Sequence, residues 1–224
     1  MYIDVNRINI HYEIIGEGRA IILLNGNSKN TSYMKVLGKI LSKKYKVYLF
    51  DRRCSGKSQK ECELTYEASV EDLYEFIKKL KIDKPIILGH SGGGTVALNF
   101  AIKYKDCVSK LILCSSVARY NGKYQKSTFE KVIECIPIYP GKKLYKRFIK
   151  LVEEARTITK KELENISEPT LIVNGDKDII SVDEAKYLAE NISNSKLLIL
   201  KDATHSSYMV KVDWENELIR FIEE

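Results

Sequence analysis

Short, mostly apolar stretches recur along the chain and are its clearest structural pattern. Six of them are residues 20–24, 46–50, 85–88, 110–114, 169–173 and 196–200. Runs of four or five residues that are apolar on both faces are typical of strands buried inside a parallel sheet. Stretches with helical spacing separate most of these runs. The alternation predicts an α/β fold in which a mostly parallel central sheet carries helices on both faces.

Two regions depart from this alternation. Residues 2–6 and 8–15 alternate between apolar and polar positions, which predicts an antiparallel hairpin at the edge of the sheet. Between residues 117 and 167 the apolar positions follow helical spacing only. We therefore expect a short helical cap insertion over the carboxyl edge of the sheet, with the core formed by residues 1–116 and 168–224.

Two more helices are predicted near the end of the chain. Ser181 and Glu184 have the spacing of a capping box and would open one helix. Apolar residues at helical spacing from about Tyr208 to Glu223 predict one continuous amphipathic helix.

The composition fits one globular domain. The 224 residues are 44% hydrophobic and 30% charged, which allows one sizeable core. The net charge of +7 comes from dispersed lysines, without the aromatic-interleaved basic motif of a nucleic-acid module, so no nucleic-acid partner is expected. The insertion is its most basic part, which exposed helix faces explain better than an anion-attracting mouth. No apolar run could cross a bilayer and no signal-peptide core is present, so we expect a cytoplasmic protein without a membrane partner.

The cysteines do not indicate a cross-link or a metal site. Five are spread along the chain: Cys54, Cys62, Cys107, Cys114 and Cys135. They form no C-x-x-C pair, and only three histidines accompany them, so neither a zinc site nor a disulfide framework is expected. A reducing compartment and a packing role fit this pattern best.

A serine bracketed by glycines follows the apolar run at 85–88. The residues are Gly89-His90-Ser91-Gly92-Gly93, and a helical pattern begins directly behind them. A reactive serine on a tight strand-to-helix turn needs neighbours without side chains, and the helix N-terminus favours negative charge that develops there. Ser91 is therefore a candidate nucleophile, and the backbone N–H of Gly92 is a candidate donor to an oxyanion.

Two nucleotide-binding interpretations of the glycines fail. Residues 92–97 match a dinucleotide fingerprint, but their first glycine does not follow the strand directly, and the next strand ends without an acid to hold a ribose. Gly56-Lys57-Ser58 resembles the end of a phosphate-binding loop, but Asp51 stands where that loop needs its first glycine.

A serine hydroxyl needs a base to remove its proton. His205 directly follows the run at 196–200 and is the candidate base. His90 adjoins Ser91 along the backbone and must point elsewhere. His11 lies in the edge hairpin, where we expect a structural role.

The base in turn needs an acid that fixes its tautomer. Asp178 lies on the loop after the run at 169–173 and is the candidate acid. Asp176 is closer to the strand end and fits turn hydrogen bonds. The polar loop at 25–28 follows another buried run, at the sheet edge where ligands bind in α/β folds, and is a candidate oxyanion hole.

Together these features resemble the α/β-hydrolase fold family, in particular its cap-bearing esterase-like branch. The resemblance covers nearly the whole chain. It depends on Gly89-x-Ser91-x-Gly93, the order Ser91, Asp178, His205, the stretch Asp51-x-Arg53-x-x-Gly56-x-Ser58 and the Gly-Asp-x-Asp pattern at 175–178. It implies that the backbone N–H groups of Asn27 and Gly92 form the oxyanion hole.

The sequence departs from the family pattern at three places. Asn25 stands where the family usually has histidine, and Cys54 stands where it usually has glycine. Backbone donors survive such changes, so the role of the loop is expected to persist. The insertion at 117–167 is short for a family cap, which implies a smaller or more open lid.

The expected activity is that of a serine hydrolase acting on a carboxylic ester or similar acyl bond through an acyl-enzyme. His205, oriented by Asp178, deprotonates Ser91 in this mechanism. The partner is a small-molecule substrate, no cofactor or metal is expected, and the oligomeric state is not predicted. Thioester, peptide, carbon–carbon or perhydrolase chemistry remains open, and a non-catalytic or weakly catalytic binding protein is the alternative from another class. Tyr120, in the insertion, is expected to pack rather than to line a pocket.

Overall fold

The computed structural model of the chain describes residues 1–27, 29–120 and 142–224. Eight strands of this part form one sheet in the order β1-β2-β4-β3-β5-β6-β7-β8. They are β1 (Tyr2–Val5), β2 (Ile8–Ile15), β3 (Ala20–Leu24), β4 (Lys46–Phe50), β5 (Ile86–His90), β6 (Lys110–Cys114), β7 (Thr170–Gly175) and β8 (Ser195–Leu200).

The sheet is mostly parallel. β1 pairs with β2 and β2 with β4 in antiparallel fashion, whereas every pair from β4 through β3, β5, β6 and β7 to β8 is parallel. The predicted edge hairpin and the predicted parallel core are thus both confirmed. Because the parallel strands share one direction, their carboxyl ends and the loops that follow them meet at the same edge of the sheet.

Helices cover both faces of the sheet. After a 3₁₀ turn at Thr31–Met34, the helices are α1 (Lys35–Leu41), α2 (Tyr66–Lys79), α3 (Gly92–Lys103), α4 (Lys142–Glu153), α5 (Lys160–Glu164), α6 (Val182–Asn191), α7 (Ser207–Val210) and α8 (Glu215–Glu223). Buried residues of α2, α3 and α6 pack on one face, and those of α1 and α8 pack on the other.

The apolar runs are continuous because both faces of each strand are covered. In β3, Ile22 and Leu24 join the core on the α2 and α3 side, whereas Ile21 and Leu23 join the core on the α1 and α8 side. All four side chains are completely buried. Each contributes about 1.5–3 kcal/mol of burial free energy, which explains why no polar residue interrupts the strand.

The described part of the insertion is helical. α4 buries Leu144, Phe148 and Leu151, in agreement with the helical spacing of apolar positions in the insertion. Residues 121–141 of the predicted cap lie outside the described residues. At the base of the insertion, the N–H of Ile158 donates to the carbonyl of Ala118 at 2.8 Å, so the outgoing and returning chain segments are hydrogen-bonded to each other.

The capping box predicted at the start of α6 is only half formed. The hydroxyl of Ser181 accepts from the N–H of Glu184, as predicted. The carboxylate of Glu184 does not return to Ser181, however. It accepts from the N–H groups of Ala118 and Arg119 at 2.8 and 2.9 Å and pairs with the Arg119 guanidinium at 2.7 Å. It therefore ties the start of the insertion to the core.

The continuous helix predicted from Tyr208 to Glu223 is also wrong, because two short helices occupy this region. The buried indole N–H of Trp214 donates to the carbonyl of Tyr208 at 2.9 Å. In an unbroken helix that carbonyl would accept from the N–H four residues later. Burial of Trp214 is therefore accompanied by a break between α7 and α8. None of the helices in the described ranges has the length and apolar character needed to cross a membrane.

Candidate active site

Ser91 connects β5 to α3 through a strained turn. Its backbone angles, φ 53° and ψ −122°, lie in a region that residues with side chains rarely adopt. The backbones around it approach so closely that a Cβ on Gly89 would collide with the carbonyl of Gly93, and a Cβ on Gly93 with the carbonyl of Leu24. The N–H of Ser91 donates to the carbonyl of Cys114 at 2.8 Å. The turn is thereby fixed to β6 and holds the serine at the carboxyl edge of the sheet.

The structure brings Ser91, His205 and Asp178 together from the loops after β5, β8 and β7. The Nε2 atom of His205 lies 3.1 Å from the Oγ of Ser91, and its Nδ1 atom lies 2.8 Å from the Oδ1 of Asp178. A carboxylate can only accept, so Nδ1 carries the proton and Nε2 is free to accept from the serine hydroxyl. This is the tautomer that a base acting on Ser91 requires.

Asp178 is completely buried and surrounded by donors. Besides His205, the Ser115 hydroxyl donates to Oδ2 at 2.5 Å and the N–H of Ile180 donates to Oδ1 at 2.9 Å. The hydroxyl of Tyr208 hydrogen-bonds to Ser115 in turn. Burial tends to raise the pKa of Asp178, but the hydrogen bonds from His205 and Ser115 outweigh it and hold this pKa below its ordinary value. The carboxylate therefore stays ionised beside the imidazole.

The loop after β3 lies directly against the serine turn. A Cβ on Gly92 would collide with the side-chain amide of Asn27. In the parts of the chain that the structure describes, no acceptor takes a hydrogen bond from the backbone N–H of Asn27 or Gly92. By contrast, the N–H of Gly26 donates to the Tyr33 hydroxyl at 2.8 Å. Two neighbouring backbone donors thus remain available beside Ser91.

A buried arginine holds this loop in place. Arg52 is 1% exposed, and its Nε donates to the carbonyl of Asn25 at 2.8 Å, while its Nη2 donates to the Oδ1 of Asn27 at 2.8 Å. The Oδ1 of Asn25 accepts from the backbone N–H of Arg52 at 3.0 Å. Burial lowers the pKa of Arg52, but a guanidinium retains its charge. Arg52 therefore places a fixed positive charge beside Asn27, whose side chain lies against Gly92.

His90 connects the loop to His205 and does not contact Ser91 through its side chain. Its Nε2 lies 2.5 Å from the carbonyl of His205, which makes Nε2 the protonated nitrogen. Its Nδ1 then accepts from the Tyr33 hydroxyl at 3.0 Å. Burial, assisted by the adjacent His205 ring, lowers the pKa of His90 to about 3. The expectation that His90 points away from the serine is met, and its side chain braces the backbone of His205.

Polar side chains continue from Asn27 toward the insertion. The Nδ2 of Asn27 donates to the Tyr66 hydroxyl at 3.1 Å, and that hydroxyl lies 3.5 Å from the hydroxyl of Tyr120. The Tyr120 hydroxyl also bonds to Thr95 at 2.7 Å. Tyr120 is buried and packs between α2 and α3, in agreement with the packing role predicted for it.

The motif at 51–58 has a structural role. The carboxylate of Asp51 accepts from the N–H groups of Thr31 and Lys57 at 2.8 and 3.0 Å. It also pairs with His11 at 2.9 Å, which agrees with a structural role for this histidine. Arg53 makes two 2.7 Å hydrogen bonds to the carboxylate of Asp72. Asp176 is exposed at a turn and lies outside the site. No cluster of three metal-ligating side chains occurs within the described ranges.

Comparison with known proteins assigns the fold family. Residues 19–139 match the family model described as alpha/beta hydrolase fold. The chain belongs to this family. Its edge hairpin, parallel core and serine turn are therefore those of an alpha/beta hydrolase.

Individual relatives of this alpha/beta hydrolase are distant but extend over most of its length. The serine hydrolase BPHL of Mus musculus is 26% identical, with 97% of this chain and 84% of that protein covered. The 2-hydroxy-6-oxononadienedioate/2-hydroxy-6-oxononatrienedioate hydrolase 1 of Pseudomonas putida is 24% identical, with 95% and 90% covered. The alpha/beta hydrolase MGS-M2 from a Medee basin deep-sea metagenome library has a similar fold, with a TM-score of 0.87, 24% identity and coverage of 100% and 98%. The sequence relatives support a hydrolase activity in general.

Three residues near the site of this hydrolase were not identified from the sequence. Ser115 directly follows β6, and its position at a strand end was the available signal. Arg52 directly follows Asp51 at the end of β4, but charged residues at strand ends are common on surfaces. Tyr33 gave no signal, because its contact with His90 joins residues 57 apart in the chain.

Proposed function

We propose that the chain is a serine hydrolase that cleaves a carboxylic ester or similar acyl bond, with Ser91 as nucleophile, His205 as base and Asp178 as acid. The observation that carries the proposal is the pair of contacts at 3.1 Å and 2.8 Å that joins these side chains. Three loops far apart in the chain supply them in the tautomer that proton transfer needs. A purely structural role for Ser91 does not require the strained turn that presents it.

The first step forms an acyl-enzyme. The Nε2 of His205 takes the hydroxyl proton of Ser91 while Oγ attacks the carbonyl carbon of the substrate. Negative charge moves to the carbonyl oxygen, which accepts two hydrogen bonds donated by the backbone N–H groups of Asn27 and Gly92. His205 then gives its proton to the leaving alcohol, and the carbon–oxygen bond breaks.

The second step returns the enzyme to its starting state. A water molecule loses a proton to His205 and attacks the acyl carbon, and the proton then passes to Ser91 as the carboxylic acid leaves. Asp178 remains ionised throughout and stabilises the imidazolium form of His205. Arg52, buried beside Asn27, supports the oxyanion through its fixed charge and by holding the loop in place.

We propose a chemical class for the substrate rather than one compound. Relatives include a serine hydrolase and a hydrolase of a dienedioate or trienedioate, so we propose a small organic substrate. We place the choice of acyl chain in the helical cap insertion at 117–167, whose described base is bonded to the core through Glu184. The core is then formed by residues 1–116 and 168–224.

The test is turnover of p-nitrophenyl esters of increasing acyl length by the purified chain. Ser91→Ala is expected to lower kcat/KM by at least ~10³-fold. The matched control is Ser109→Ala, since that serine precedes β6 and its hydroxyl has no partner within the described ranges. A fluorophosphonate probe, which labels only an activated serine, is expected to modify Ser91 in the unaltered chain.

Two results would reject the proposal. Equal turnover by Ser91→Ala and the unaltered chain would remove the nucleophile. Absence of both labelling and turnover would favour a binding protein that retains the geometry without the activity. Labelling of Ser91 without ester turnover would keep the nucleophile and redirect the search to thioester, peptide, carbon–carbon or perhydrolase substrates.

A further inference from the structure

A pair of cysteines lies in the loop between β4 and α2, on residues that the proposed reaction does not use. The Sγ atoms of Cys54 and Cys62 are 3.3 Å apart. Within the described residues, no other pair of cysteine sulfurs makes such a contact. The sequence favoured packing roles for these residues, because eight positions separate them and no spacing rule predicts that they meet.

A cation from the insertion lies next to this pair. Arg147 on α4 places its Nη2 3.4 Å from the Sγ of Cys54. The same guanidinium donates to the carbonyl of Lys60 at 2.8 Å and to the carbonyl of Cys62. No carboxylate of the described residues pairs with Arg147 in an ion pair. Among the described residues, the sulfur of Cys54 is thus the group nearest to this guanidinium that can become an anion.

The contact between the two sulfurs acidifies one thiol of the pair. The hydrogen bond from Cys62 is the main reason that the pKa of Cys54 is lowered to about 6, and although burial opposes it, the charge of Arg147 adds to the shift. The same contact raises the pKa of Cys62. The pair therefore holds one proton and one negative charge near neutral pH, which is the state of a reactive dithiol.

Packing alone does not explain a cysteine at position 54. Its backbone φ is 59°, in the left-handed region where glycine is favoured. A side chain there is strained relative to glycine. The residue accepts this strain while placing its sulfur between another sulfur and a guanidinium.

The pair can be reached from solvent on one side only. Cys54 is 1% exposed, whereas Cys62 is half-buried. Cys62 also lines an open surface depression of about 630 Å³, together with Arg53 and Glu63. A small oxidant can approach the pair through Cys62, and a large reagent cannot reach Cys54.

We propose that Cys54 and Cys62 form an oxidation site that a hydroperoxide converts to an intramolecular disulfide, with Arg147 holding the reactive thiolate. The thiolate sulfur attacks the peroxide, the oxygen–oxygen bond breaks, and a sulfenic acid and hydroxide form. The second thiol then displaces the sulfenic hydroxyl as water and closes the sulfur–sulfur bond. The two sulfurs together lose two electrons and the peroxide gains them. The site is independent of the proposed hydrolase activity.

The experiment treats the full chain with hydrogen peroxide and counts thiols after denaturation. Of the five cysteines, three thiols are expected to remain, and the intact mass falls by two hydrogen atoms. Digestion is expected to yield one peptide pair that joins Cys54 to Cys62, and a reductant restores all five thiols. The rate should rise with pH about a midpoint near 6.

Two variants separate the parts of the site, and each has a matched control. Cys62→Ser is expected to stop at a sulfenic acid on Cys54, which dimedone traps once the chain is unfolded, whereas Cys107→Ser still forms the cross-link. Arg147→Gln is expected to slow oxidation about tenfold at neutral pH, because the thiolate loses its cation. Arg156→Gln is the matched control, since that arginine pairs with Glu162 away from the cysteines.

The proposal fails in three cases. Five thiols could remain after the peroxide treatment, cross-links could join different chains, or Cys54 could pass to a sulfinic acid without a cross-link. An equal rate for Arg147→Gln and Arg156→Gln would remove Arg147 from the site. The thiol count and the oxidation rate do not depend on ester turnover. Failure of the hydrolase proposal would therefore not affect the proposed oxidation site.

Discussion

The protein contains two histidine–aspartate pairs of nearly the same geometry. In one, His205 lies 2.8 Å from Asp178, and in the other His11 lies 2.9 Å from Asp51. In both, the contact is made through Nδ1, and the aspartate accepts additional hydrogen bonds from neighbouring donors. A contact of this kind therefore does not by itself distinguish a base from a structural residue.

The difference lies at the other imidazole nitrogen. The Nε2 of His205 faces Ser91, at the edge where the carboxyl ends of parallel strands meet. His11 sits within the antiparallel strand β2, where its ring packs edge-on against Tyr2. No hydroxyl of the described residues lies within hydrogen-bond distance of its Nε2. The position of each pair in the sheet, rather than the pair itself, therefore separates the candidate base from the candidate structural residue.

Exchanging each histidine for glutamine is the strongest way to break the comparison. His205→Gln is expected to lower kcat/KM on an ester substrate by at least ~10³-fold, because Ser91 loses the group that takes its proton. His11→Gln is expected to keep turnover within about threefold of the unaltered chain. It should lower the free energy of unfolding by about 1–3 kcal/mol, since the buried Asp51 loses a donor. Steady-state kinetics and urea unfolding measure the two effects.

The reverse pattern would overturn the assignment of roles. If His11→Gln abolished turnover while folding normally, the edge pair would belong to the reaction. If His205→Gln retained turnover, the contact between His205 and Ser91 would not be used.

The third histidine sharpens the comparison, because His90 has no carboxylate partner within the described ranges. In the unfolded chain its pKa is the ordinary 6.5, and in the folded chain it is about 3. The unfolded state therefore binds more protons between these values, and the stabilisation present above pH 6.5 is lost as the pH falls toward 3. The loss is expected to be about 4–5 kcal/mol. Chemical unfolding at a series of pH values measures it.

The control for this prediction is His90→Gln. Glutamine has an amide N–H for the carbonyl of His205 and an oxygen for the hydroxyl of Tyr33, but it does not titrate. Its stability should vary less between pH 6.5 and pH 3. A decline as steep as that of the unaltered chain would place the acid sensitivity elsewhere.

The smallest expected effect comes from the hydroxyls that support the two aspartates. Ser115→Ala removes a donor to Asp178 and is expected to lower kcat/KM about tenfold. Ser58→Ala removes the acceptor of the His11 backbone N–H and should lower the free energy of unfolding by about 1–3 kcal/mol without changing turnover. Equal losses of turnover in both variants would show that the hydroxyls act through general stability alone.

The sheet and the serine turn could be predicted because local physics determines them. A strand buried on both faces must be continuously apolar, and a tight turn between backbones must contain glycine at Gly89 and Gly93. The placement of Ser91, His205 and Asp178 at one edge follows from the parallel order of the strands. Their roles remain predictions that kinetics must test.

What could not be predicted depends on contacts between distant segments. The Glu184 carboxylate accepts a hydrogen bond from the N–H of Ala118, 66 positions away in the chain, instead of returning to its own N-cap. The contact of Cys54 with Cys62 and Arg147 depends on how the insertion lies on the core. No period or motif encodes such meetings, since each results from the packing of completed elements.

The hydrogen-bonded base of the insertion has an evolutionary consequence. The hydrogen bond between Ala118 and Ile158 holds the outgoing and returning chain segments side by side. Next to it, the Thr157 hydroxyl accepts from the N–H of Tyr120 at 3.0 Å. In general, doubling the length of a connection whose two ends are held together adds only about 0.6 kcal/mol of closure entropy. Descendants of this gene can therefore change the length and sequence of the insertion while retaining the α/β core.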